Sequence, residues 1–428
     1  MSDFDLAICA RATREAWKIL KRSAHASRNA ALFAIAEALV AQVAQIESEN
    51  DADLAAAAAA GLDAAMLDRL RLDATRIAAL AADVRALIKL PDPLAATFDQ
   101  RTLGNGLRIH RRRVPIGVLG VIYESRPNVT VDVAALAIKS GNAAILRGGK
   151  ESLRTNLALA ECIGTGLRDA GLPEQCIALI PSSDRAEVLS LLRMDDQVDL
   201  IIPRGGAALH RYCRDHARMP VITGGIGICH LYIDEHAARD RVIAVIRNAK
   251  VQRPTVCNAL DTVLVHRAVA PALLPELVRT LAADGVAFRA DPAAFAMLAP
   301  TLQTTPELQT RVLAAGADDF DTEWLSLILG IAIVDSPDAA IAHIDAHSSG
   351  HSDGILTEDA QRALDFLERV DSAAVYWNAS TRFTDGGQLG LGAEVAVSTQ
   401  RIHARGPMGL EELTSYKWII EGDYHARV

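Results

Sequence analysis

The chain has 428 residues, which is long enough for two or three domains around a large buried core. Half of the residues are apolar and 23% are charged, as in a soluble globular protein, and the net charge of −9 argues against nucleic acid or an anionic membrane as a partner. The six cysteines form no C-x-x-C pair, which excludes a disulfide framework and gives no sign of a bound metal. Because no apolar run reaches the roughly 18 residues of a membrane span, we expect a cytoplasmic protein.

The first part of the chain, residues 3–90, has apolar residues at helical spacing. Ala31–Val40 is one such stretch, and the alanine run Ala55–Ala60 favours helix by propensity. Pro91 ends this region, because proline cannot continue a helix. We therefore predict a helical N-terminal region.

Residues 98–113 change to a strand pattern. Thr102–Ile109 is predicted to form two short strands around the turn Gly104-Asn105-Gly106. Such a protruding hairpin is either an oligomer contact or a plain surface hairpin, and the local sequence leaves both interpretations open.

From residue 114 to residue 234, short apolar runs alternate with helical stretches. This alternation predicts a parallel, doubly wound sheet, since parallel strands need crossover helices between them. The predicted strands are Ile116–Ile122, Ala143–Leu146, Ile177–Ile180, Leu200–Ile202, Val221–Ile222 and His230–Ile233. The predicted helices are Val131–Lys139, Asn156–Asp169 and Arg185–Met194.

Two of these strands run into the same Arg-Gly-Gly signature. Arg147-Gly148-Gly149 follows one strand and Arg204-Gly205-Gly206 follows another. Glycines at the carboxyl end of a strand let the backbone approach a phosphate, and the N-terminus of the next helix attracts it. Two such turns in one sheet predict a nucleotide site, although two plain tight turns remain an alternative.

Residues 235–370 show a second α/β pattern. The predicted strands are Thr262–Val265, Leu327–Val334 and Gly354–Thr357, and the predicted helices are Ala268–Ala282, Pro337–Ile344 and Ala360–Val370. The tail from residue 375 is rich in glycine and turns, and it ends in an apolar and aromatic segment.

Cys257 lies in the polar stretch Val251–Leu260, just before the apolar run Thr262–Val265. A thiol there is expected at a chain reversal and not inside a strand. Thiolates are strong acyl-accepting nucleophiles, and an adjacent backbone N–H can stabilise the oxyanion that forms. The alternative is a small buried residue, since free cysteine is often part of a core.

With these features the chain resembles the aldehyde dehydrogenase superfamily, and within it the enzymes that reduce γ-glutamyl phosphate. The resemblance runs from about residue 114 to residue 420. The motifs that carry it are Val114–Val118, Tyr123–Thr130, Lys139–Ala143, Leu146–Glu151, Gln252–Pro254, Cys257–Ala259, Gly350–Asp353, Asn378–Phe383 and His403–Leu413.

The resemblance implies an aldehyde-dehydrogenase-like α/β fold, with two doubly wound α/β domains and a small β oligomerisation element. It places an NADPH-binding domain at residues 1–97 and 114–234, and a catalytic domain with Cys257 at residues 235–375. Residues 98–113 and 376–428 would form a hairpin and C-terminal segments for oligomerisation and interdomain contact, so a homo-oligomer is expected.

The resemblance also implies the reaction, in which L-glutamyl 5-phosphate is reduced with NADPH to L-glutamate 5-semialdehyde and phosphate, in proline biosynthesis. Cys257 would attack the acyl phosphate and form a thioester, which hydride then reduces. Asn128 would donate to the oxyanion with the backbone N–H of Cys257; a helix cap before Val129–Lys139 is the other interpretation of Asn128. Channelling of the substrate from glutamate 5-kinase is a further implied partnership.

One absence supports acyl-phosphate chemistry. Hydrolytic members of the superfamily carry a water-activating glutamate near the segment that is here Pro220–Ile228, and this segment has no carboxylate. An enzyme whose acyl acceptor is phosphate would lose its thioester to hydrolysis if it carried such a base.

Cofactor choice is predicted from charge. NADP sites offer cations to the 2′-phosphate, and the first glycine turn is flanked by Arg147 and Lys150 against the single carboxylate of Glu151, which favours NADPH. Glu323 matches a superfamily glutamate that binds the nicotinamide ribose; its alternative is an ordinary solvated surface acid.

The substrate carries carboxylate and phosphate groups, which arginine binds with two parallel hydrogen bonds. Arg126 and Arg382 are the preferred substrate-binding residues; Arg253 and Arg405 are further candidates, and any of the four could instead form a surface salt bridge. Cys229 and His230 are neighbours in a predicted strand and point to opposite faces, so Cys229 is expected in the core.

Two other functions remain open. A CoA-acylating aldehyde dehydrogenase would share Cys257 and would also lack the water-activating glutamate. A non-catalytic, nucleotide-binding regulator could use the same fold. Activity with an acyl phosphate or with an acyl-CoA distinguishes these readings from the reductase.

Overall fold

The computed structural model describes residues 4–224 and 226–427. The helices are α1 Leu6–Leu20, α2 His25–Ala41, α3 Val43–Ala59, α4 Ala64–Leu70, α5 Ala74–Ile88, α6 Asn128–Lys139, α7 Leu153–Asp169, α8 Arg185–Leu191, α9 Ala207–His216, α10 Arg239–Val251, α11 Ala270–Ala283, α12 Pro292–Thr304, α13 Pro337–His347 and α14 Ala360–Arg369. The strands are β1 Thr97–Thr102, β2 Arg108–Pro115, β3 Val118–Tyr123, β4 Ala143–Arg147, β5 Ile177–Leu179, β6 Leu200–Arg204, β7 Cys229–Ile233, β8 Leu260–His266, β9 Ala287–Ala290, β10 Val312–Ala314, β11 Ile328–Val334, β12 Ser352–Leu356, β13 Ala374–Trp377, β14 Val397–Ser398, β15 Gly406–Pro407 and β16 Thr414–Glu421.

The chain divides into two compact units. The first unit consists of Met1–Thr223, Gly390–Ala396 and Pro407–Val428, and the second of Gly224–Leu389 and Val397–Gly406. The C-terminal tail therefore contributes to both units. The assignment of cofactor binding to the first part of the chain and catalysis to the second stays a prediction.

The first unit contains a parallel four-stranded sheet in the order β5-β4-β3-β6. All six residues of β3 are buried, as expected for a strand covered on both faces. Side chains of α1 and α8 pack against it in one apolar cluster, while α6 packs against α2, α5 and α7. The predicted doubly wound α/β fold is confirmed. The predicted strand His230–Ile233 is not part of this sheet, because it pairs as β7 in the sheet of the second unit.

The predicted strand Ile116–Ile122 is wrong in its first part, because the chain breaks at Gly117 between β2 and β3. Gly117 has φ +150°, and the carboxylate of Asp199 fills the space that a Cβ atom would need. That carboxylate accepts the Val118 N–H at 2.7 Å and Arg14 Nη1 at 2.7 Å. The glycine thus lets a carboxylate take the place of a side chain where the strand begins.

The predicted hairpin is confirmed, and it belongs to a larger sheet in the first unit. β1 pairs antiparallel with β2, and β2 pairs along its whole length with β16 from the C-terminal tail. The Arg111 guanidinium lies 4.7 Å from the ring centre of Tyr416 and 4.6 Å from that of Trp418. These cation–π contacts tie the tail to the hairpin.

The second unit is built around a parallel seven-stranded sheet in the order β10-β9-β11-β8-β7-β12-β13. Its two faces are covered by different apolar clusters. Val263 and Val265 of β8 pack in the cluster with Leu277 of α11, whereas Leu264 packs in the cluster with Phe366 of α14. This alternation is what a strand buried on both faces requires.

Some short elements differ from the sequence prediction. Val221–Ile222 is not a strand: Val221 forms only an isolated parallel bridge with Ile201, beside Pro220. A two-residue apolar run after a proline cannot extend a ladder, because proline has no N–H to donate. The sequence also gave no prediction of β9, β10 or α12.

In the described residues no single helix is long and apolar enough to cross a membrane. The pair α2 and α3 meets the length and composition criteria only when taken together, across a bend of 69°. α2 packs against α5 and α7 of the first unit, which accounts for its apolar character.

Gly117→Ala is expected to lower the free energy of unfolding by about 2–4 kcal/mol, because the new methyl group displaces the Asp199 carboxylate and meets an unfavourable φ. Urea denaturation measures the change. Gly104→Ala is the matched control: nothing lies within 4 Å of its Cβ position, so a change within about 0.5 kcal/mol is expected. Equal effects of the two substitutions would contradict this account of the break.

Candidate active site

The parallel sheet of the first unit brings the predicted nucleotide-binding residues to one edge. Ile122 of β3 pairs with Arg147 of β4, and Tyr123 pairs with Arg204 of β6, so all three strands end together. The strand order reverses beside β3, and ligands of open α/β sheets bind outside the carboxyl ends at such a reversal. The predicted residues at this edge are Arg126, Asn128, Arg147, Gly148, Gly149, Lys150, Arg204, Gly205 and Gly206.

The first glycine turn is shaped by Arg147. This buried side chain donates from Nη1 to the Gly148 carbonyl at 3.0 Å and from Nη2 to the Ser183 carbonyl at 3.0 Å. A Cβ atom at Gly148 would overlap the Asn156 amide. Lys150, in contrast, is exposed. Of the two predicted cations, one holds the turn together and the other faces solvent.

Both glycine turns pack against a carboxylate of this chain. Glu124 Oε2 accepts the Gly206 N–H at 3.3 Å and fills the space beside Gly205. Glu151 Oε1 accepts the N–H of Ser125 at 3.1 Å and its hydroxyl at 2.5 Å. Ser125 itself has φ +42°, in the left-handed region. The segment Glu124-Ser125 is therefore hydrogen-bonded to the second glycine turn on one side and to Glu151, beside the first turn, on the other.

Asn128 begins α6 and does not cap it, because the N-cap residue is Pro127. Its Nδ2 donates to Asp132 Oδ2 at 2.8 Å, one helical turn further on. Burial raises the pKa of Asp132 to about 6, and the hydrogen bond from Asn128 favours its ionised form. The cap interpretation is wrong, and one N–H of the Asn128 amide is fixed by a carboxylate.

In the second unit, Cys257 lies half-buried in a turn between α10 and β8, where the sequence predicts a chain reversal. Its carbonyl accepts the Cys229 thiol at a donor–acceptor distance of 3.2 Å. Gly227 packs so closely against that carbonyl that a Cβ atom would overlap it. Two neighbouring segments thus fix the backbone of the cysteine that carries the predicted chemistry.

A chain of buried polar contacts, here called the polar ring, returns from Cys229 to the residue after Cys257. Cys229 Sγ lies 3.9 Å from His351 Nδ1, which lies 2.8 Å from Ser352 Oγ. Ser352 Oγ is 2.6 Å from Thr384 Oγ1, and the Thr384 carbonyl accepts Asn258 Nδ2 at 2.8 Å. Burial of a polar group without a hydrogen-bond partner is costly. The contacts of the polar ring supply such partners to the buried polar groups around this turn.

Cys229 is buried, as the sequence predicts, but its thiol lies beside an imidazole. That imidazole belongs to His351 and not to the neighbouring His230, whose Nδ1 lies 3.2 Å from Asp353 Oδ1. Burial raises the pKa of Cys229 well above its usual range. The thiol of Cys229 is therefore a hydrogen-bond donor and not a second nucleophile.

The structure places Arg382 beside the Cys257 turn. Its Nε donates to Gln252 Oε1 at 2.8 Å, and its Nη1 donates to Asn258 Oδ1. Burial lowers the pKa of Arg382, and the nearby Arg253 lowers it further. Arg405 instead forms an ion pair with Asp371, from Nη1 to Oδ1 at 2.5 Å.

Glu323 is half-buried and is not a solvated surface acid. Its Oε1 accepts the Gly227 N–H at 2.9 Å, and burial raises its pKa. The next residue, Trp324, donates its backbone N–H to Asp261 Oδ1 at 3.3 Å, and Asp261 pairs with the buried Lys250 at 3.3 Å. Although the segment 220–228 has no carboxylate of its own, Glu323 brings one to it.

These loops of the second unit meet because each precedes a strand of one parallel sheet. Gly227, Cys257, Glu323 and His351 come before β7, β8, β11 and β12 respectively, so they gather at the amino edge. Across residues 4–224 and 226–427, no group of three or more His, Cys, Asp or Glu side chains is arranged to hold a metal ion.

Comparison with known proteins agrees with the fold and the motifs. The sequence profile "Aldehyde dehydrogenase family" matches residues 2–294. The gamma-glutamyl phosphate reductase of Roseiflexus castenholzii is 56% identical over 402 residues, which is 94% of either chain. The chain belongs to the aldehyde dehydrogenase family, among the gamma-glutamyl phosphate reductases. It is therefore an oxidoreductase that uses a nicotinamide cofactor and a small-molecule substrate.

Solved structures extend the comparison within the aldehyde dehydrogenase family. The gamma-glutamyl phosphate reductase of Thermotoga maritima is 43% identical and superposes with a TM-score of 0.92, over 99% of this chain and 100% of its own. An acetylating aldehyde dehydrogenase of Geobacillus thermoglucosidasius is 17% identical with a TM-score of 0.70, over 99% of this chain and 97% of its own. At that identity the second likeness concerns the fold alone.

The environments of the cysteines predict selective alkylation. Alkylation requires a thiolate. Burial raises the pKa of Cys162, Cys176 and Cys213 to about 12 and raises that of Cys229 well above its usual range, so all four stay neutral. Iodoacetamide at about pH 8 is expected to label Cys257 at least tenfold faster than these four. Peptide mass spectrometry measures the rates, and labelling of Cys229 as fast as Cys257 would contradict the assignment of its role.

Proposed function

We propose that this chain reduces L-glutamyl 5-phosphate to L-glutamate 5-semialdehyde, with NADPH as reductant and release of phosphate, in proline biosynthesis. The observation that carries the proposal is Cys257 in a fixed turn beside the Arg382 guanidinium. It occurs in a chain that is 56% identical to a gamma-glutamyl phosphate reductase over 94% of its length.

The proposed nucleophile is the Cys257 thiolate. Its Sγ bonds to the acyl carbon, the bond from that carbon to the phosphate oxygen breaks, and phosphate leaves with the electron pair. When bound, the reduced nicotinamide supplies the hydride that takes the resulting thioester to the aldehyde. We propose Asn128 and the Cys257 backbone N–H as donors to the oxyanion, and Arg126 and Arg382 as substrate-binding residues.

The residues proposed to hold the cofactor are the two glycine turns and Glu323. Without side chains at Gly148, Gly149, Gly205 and Gly206, the backbone can be approached closely by phosphate groups. Arg147 already bonds two backbone carbonyls. Lys150 is therefore the cation that we propose for the 2′-phosphate of NADPH.

We further propose a cytoplasmic homo-oligomer that assembles through the three-stranded sheet of the first unit. β16 is an edge strand of that sheet, and Tyr416, Trp418 and Ile420 on it are 48%, 43% and 63% exposed. An unpaired edge with exposed aromatic side chains favours pairing with another chain. Glutamate 5-kinase is the proposed supplier of the substrate, because acyl phosphates are prone to hydrolysis and benefit from direct transfer.

The reverse reaction tests the proposed function. With L-glutamate 5-semialdehyde and NADP but without phosphate, we expect a burst of NADPH no larger than the enzyme concentration, followed by sustained turnover once phosphate is added. General-base assistance is worth roughly 10²–10⁴ in rate, so thioester hydrolysis should be slower than phosphorolysis by a comparable factor.

Cys257→Ser is the control, and it should show neither burst nor turnover while still binding NADPH. Turnover driven by coenzyme A in place of phosphate would favour a CoA-acylating enzyme. Sustained NADPH formation without phosphate, with free glutamate accumulating, would show that water is activated; Glu323 would then be the first carboxylate to test.

Lys150→Glu is expected to raise the Kd of NADPH roughly tenfold to hundredfold while changing that of NADH less than threefold, because it removes a charge-assisted contact to the 2′-phosphate. Fluorescence titration measures both constants. Lys150→Gln, which removes the charge without reversing it, should give a smaller shift in the same direction. If both cofactors weaken equally, the 2′-phosphate is bound elsewhere.

A further inference from the structure

Asn258 joins the Cys257 turn to Arg382. Its Oδ1 accepts Arg382 Nη1, and its Nδ2 donates to the Thr384 carbonyl at 2.8 Å. Its own backbone carbonyl accepts the Thr381 hydroxyl at 2.7 Å. The residue is 5% exposed. Both ends of this amide are therefore engaged with the segment that carries the arginine, while its backbone continues directly from the nucleophile.

The Arg382 guanidinium is held at two of its nitrogens. Gln252 accepts from Nε and Asn258 from Nη1. A long, flexible side chain restrained in this way loses little further entropy when it binds an anion. Gln252 and Asn258 both belong to the stretch around Cys257, so the guanidinium is held to that stretch and not only to its own segment.

A second guanidinium reinforces the positive charge at this place. Arg253 is exposed and lies close enough to Arg382 to lower the pKa of Arg382. Two like charges beside one another are unfavourable unless an anion neutralises them. Arginine pairs are suited to phosphate, whose oxygens accept several charge-assisted hydrogen bonds.

We propose that Asn258 is a positioning residue that fixes Arg382 to bind the phosphoryl group of the acyl phosphate, and not the α-carboxylate at the other end of the substrate. The phosphoryl group is attached to the carbon that Cys257 attacks, so its oxygens lie beside the thiol. The α-carboxylate is separated from that carbon by the glutamyl chain. This inference rests on the proposed function.

Binding of the phosphoryl group by Arg382 concerns only the half of the reaction in which phosphate enters or leaves. In reverse, an oxygen of hydrogen phosphate bonds to the thioester carbon, and the bond from that carbon to Sγ breaks. The electron pair leaves with Sγ as thiolate, and the phosphate proton is lost to solvent. Arg382 would hold the incoming phosphate in this step, whereas formation of the thioester from the aldehyde would not need it.

The two halves can be measured separately. In Asn258→Ala the NADPH burst with L-glutamate 5-semialdehyde and NADP should keep its rate within about threefold, while the KM for phosphate rises roughly tenfold to hundredfold, as for loss of a charge-assisted contact. The KM for L-glutamate 5-semialdehyde should change much less. A slowed burst with an unchanged KM for phosphate would overturn the inference.

A double-mutant cycle tests whether Asn258 acts through Arg382. Arg382→Met should raise the KM for phosphate at least as much as Asn258→Ala, and Asn258→Ala should add nothing in the Arg382→Met background. Additive effects would show that Asn258 acts independently of the arginine and would overturn the proposal.

Two further variants serve as controls. Asn258→Asp keeps the size and the acceptor of the side chain but sets a negative charge against the guanidinium, so the KM for phosphate should rise here too; no change would count against the proposal. Arg247→Ala removes an arginine of the same unit that pairs with Asp284 at the surface, and all kinetic constants should stay unchanged. If the wild type gave no burst at all, the proposed function would fail and not this inference alone.

Discussion

Both candidate sites depend on one property of parallel sheets, which is that all strands of such a sheet point the same way. Each crossover helix returns the chain to the same edge, so loops that are far apart in sequence become neighbours. In the first unit the carboxyl ends of β3, β4 and β6 gather the two glycine turns. In the second unit the amino ends of β7, β8, β11 and β12 gather Gly227, Cys257, Glu323 and His351.

Around Cys257 this gathering produces a turn whose backbone contacts two neighbouring segments. Gly227 packs against its carbonyl without room for a side chain, and the polar ring closes behind it through buried hydrogen-bonding groups. Cys229 and Cys257 contain the same thiol, yet burial raises the pKa of Cys229 and makes it a donor. The environment, and not the residue type, therefore separates the buried Cys229 from the half-buried Cys257.

The arginines show the same dependence on partners. Arg147 and Lys150 flank one turn, but Arg147 bonds two backbone carbonyls while Lys150 is exposed. Arg382 and Arg405 both belong to motifs of the resemblance, but Arg405 pairs with Asp371 and Arg382 is fixed beside the cysteine turn by Asn258. A guanidinium can bind a carbonyl, a carboxylate or a phosphate, so its sequence position alone does not indicate which it binds.

By itself the sequence determined the features that are local along the chain. Helical periodicity predicted α2, the turn Gly104-Asn105-Gly106 predicted the hairpin, and polar residues before an apolar run predicted that Cys257 lies at a chain reversal. It failed where a short run had too few residues to carry a pattern, as at Val221–Ile222, and where a distant side chain decided the backbone, as Asp199 does at Gly117.

Only the tertiary structure decided which residues distant in sequence contact one another. It brought the Glu323 carboxylate to a segment that has none in sequence, paired the Cys229 thiol with His351 and not with its neighbour, and joined Asn258 to an arginine more than a hundred residues away. Motif and periodicity record a residue's own neighbours along the chain. Hydrogen bonds and burial depend on distances in space, which the order of the strands in the folded sheet sets.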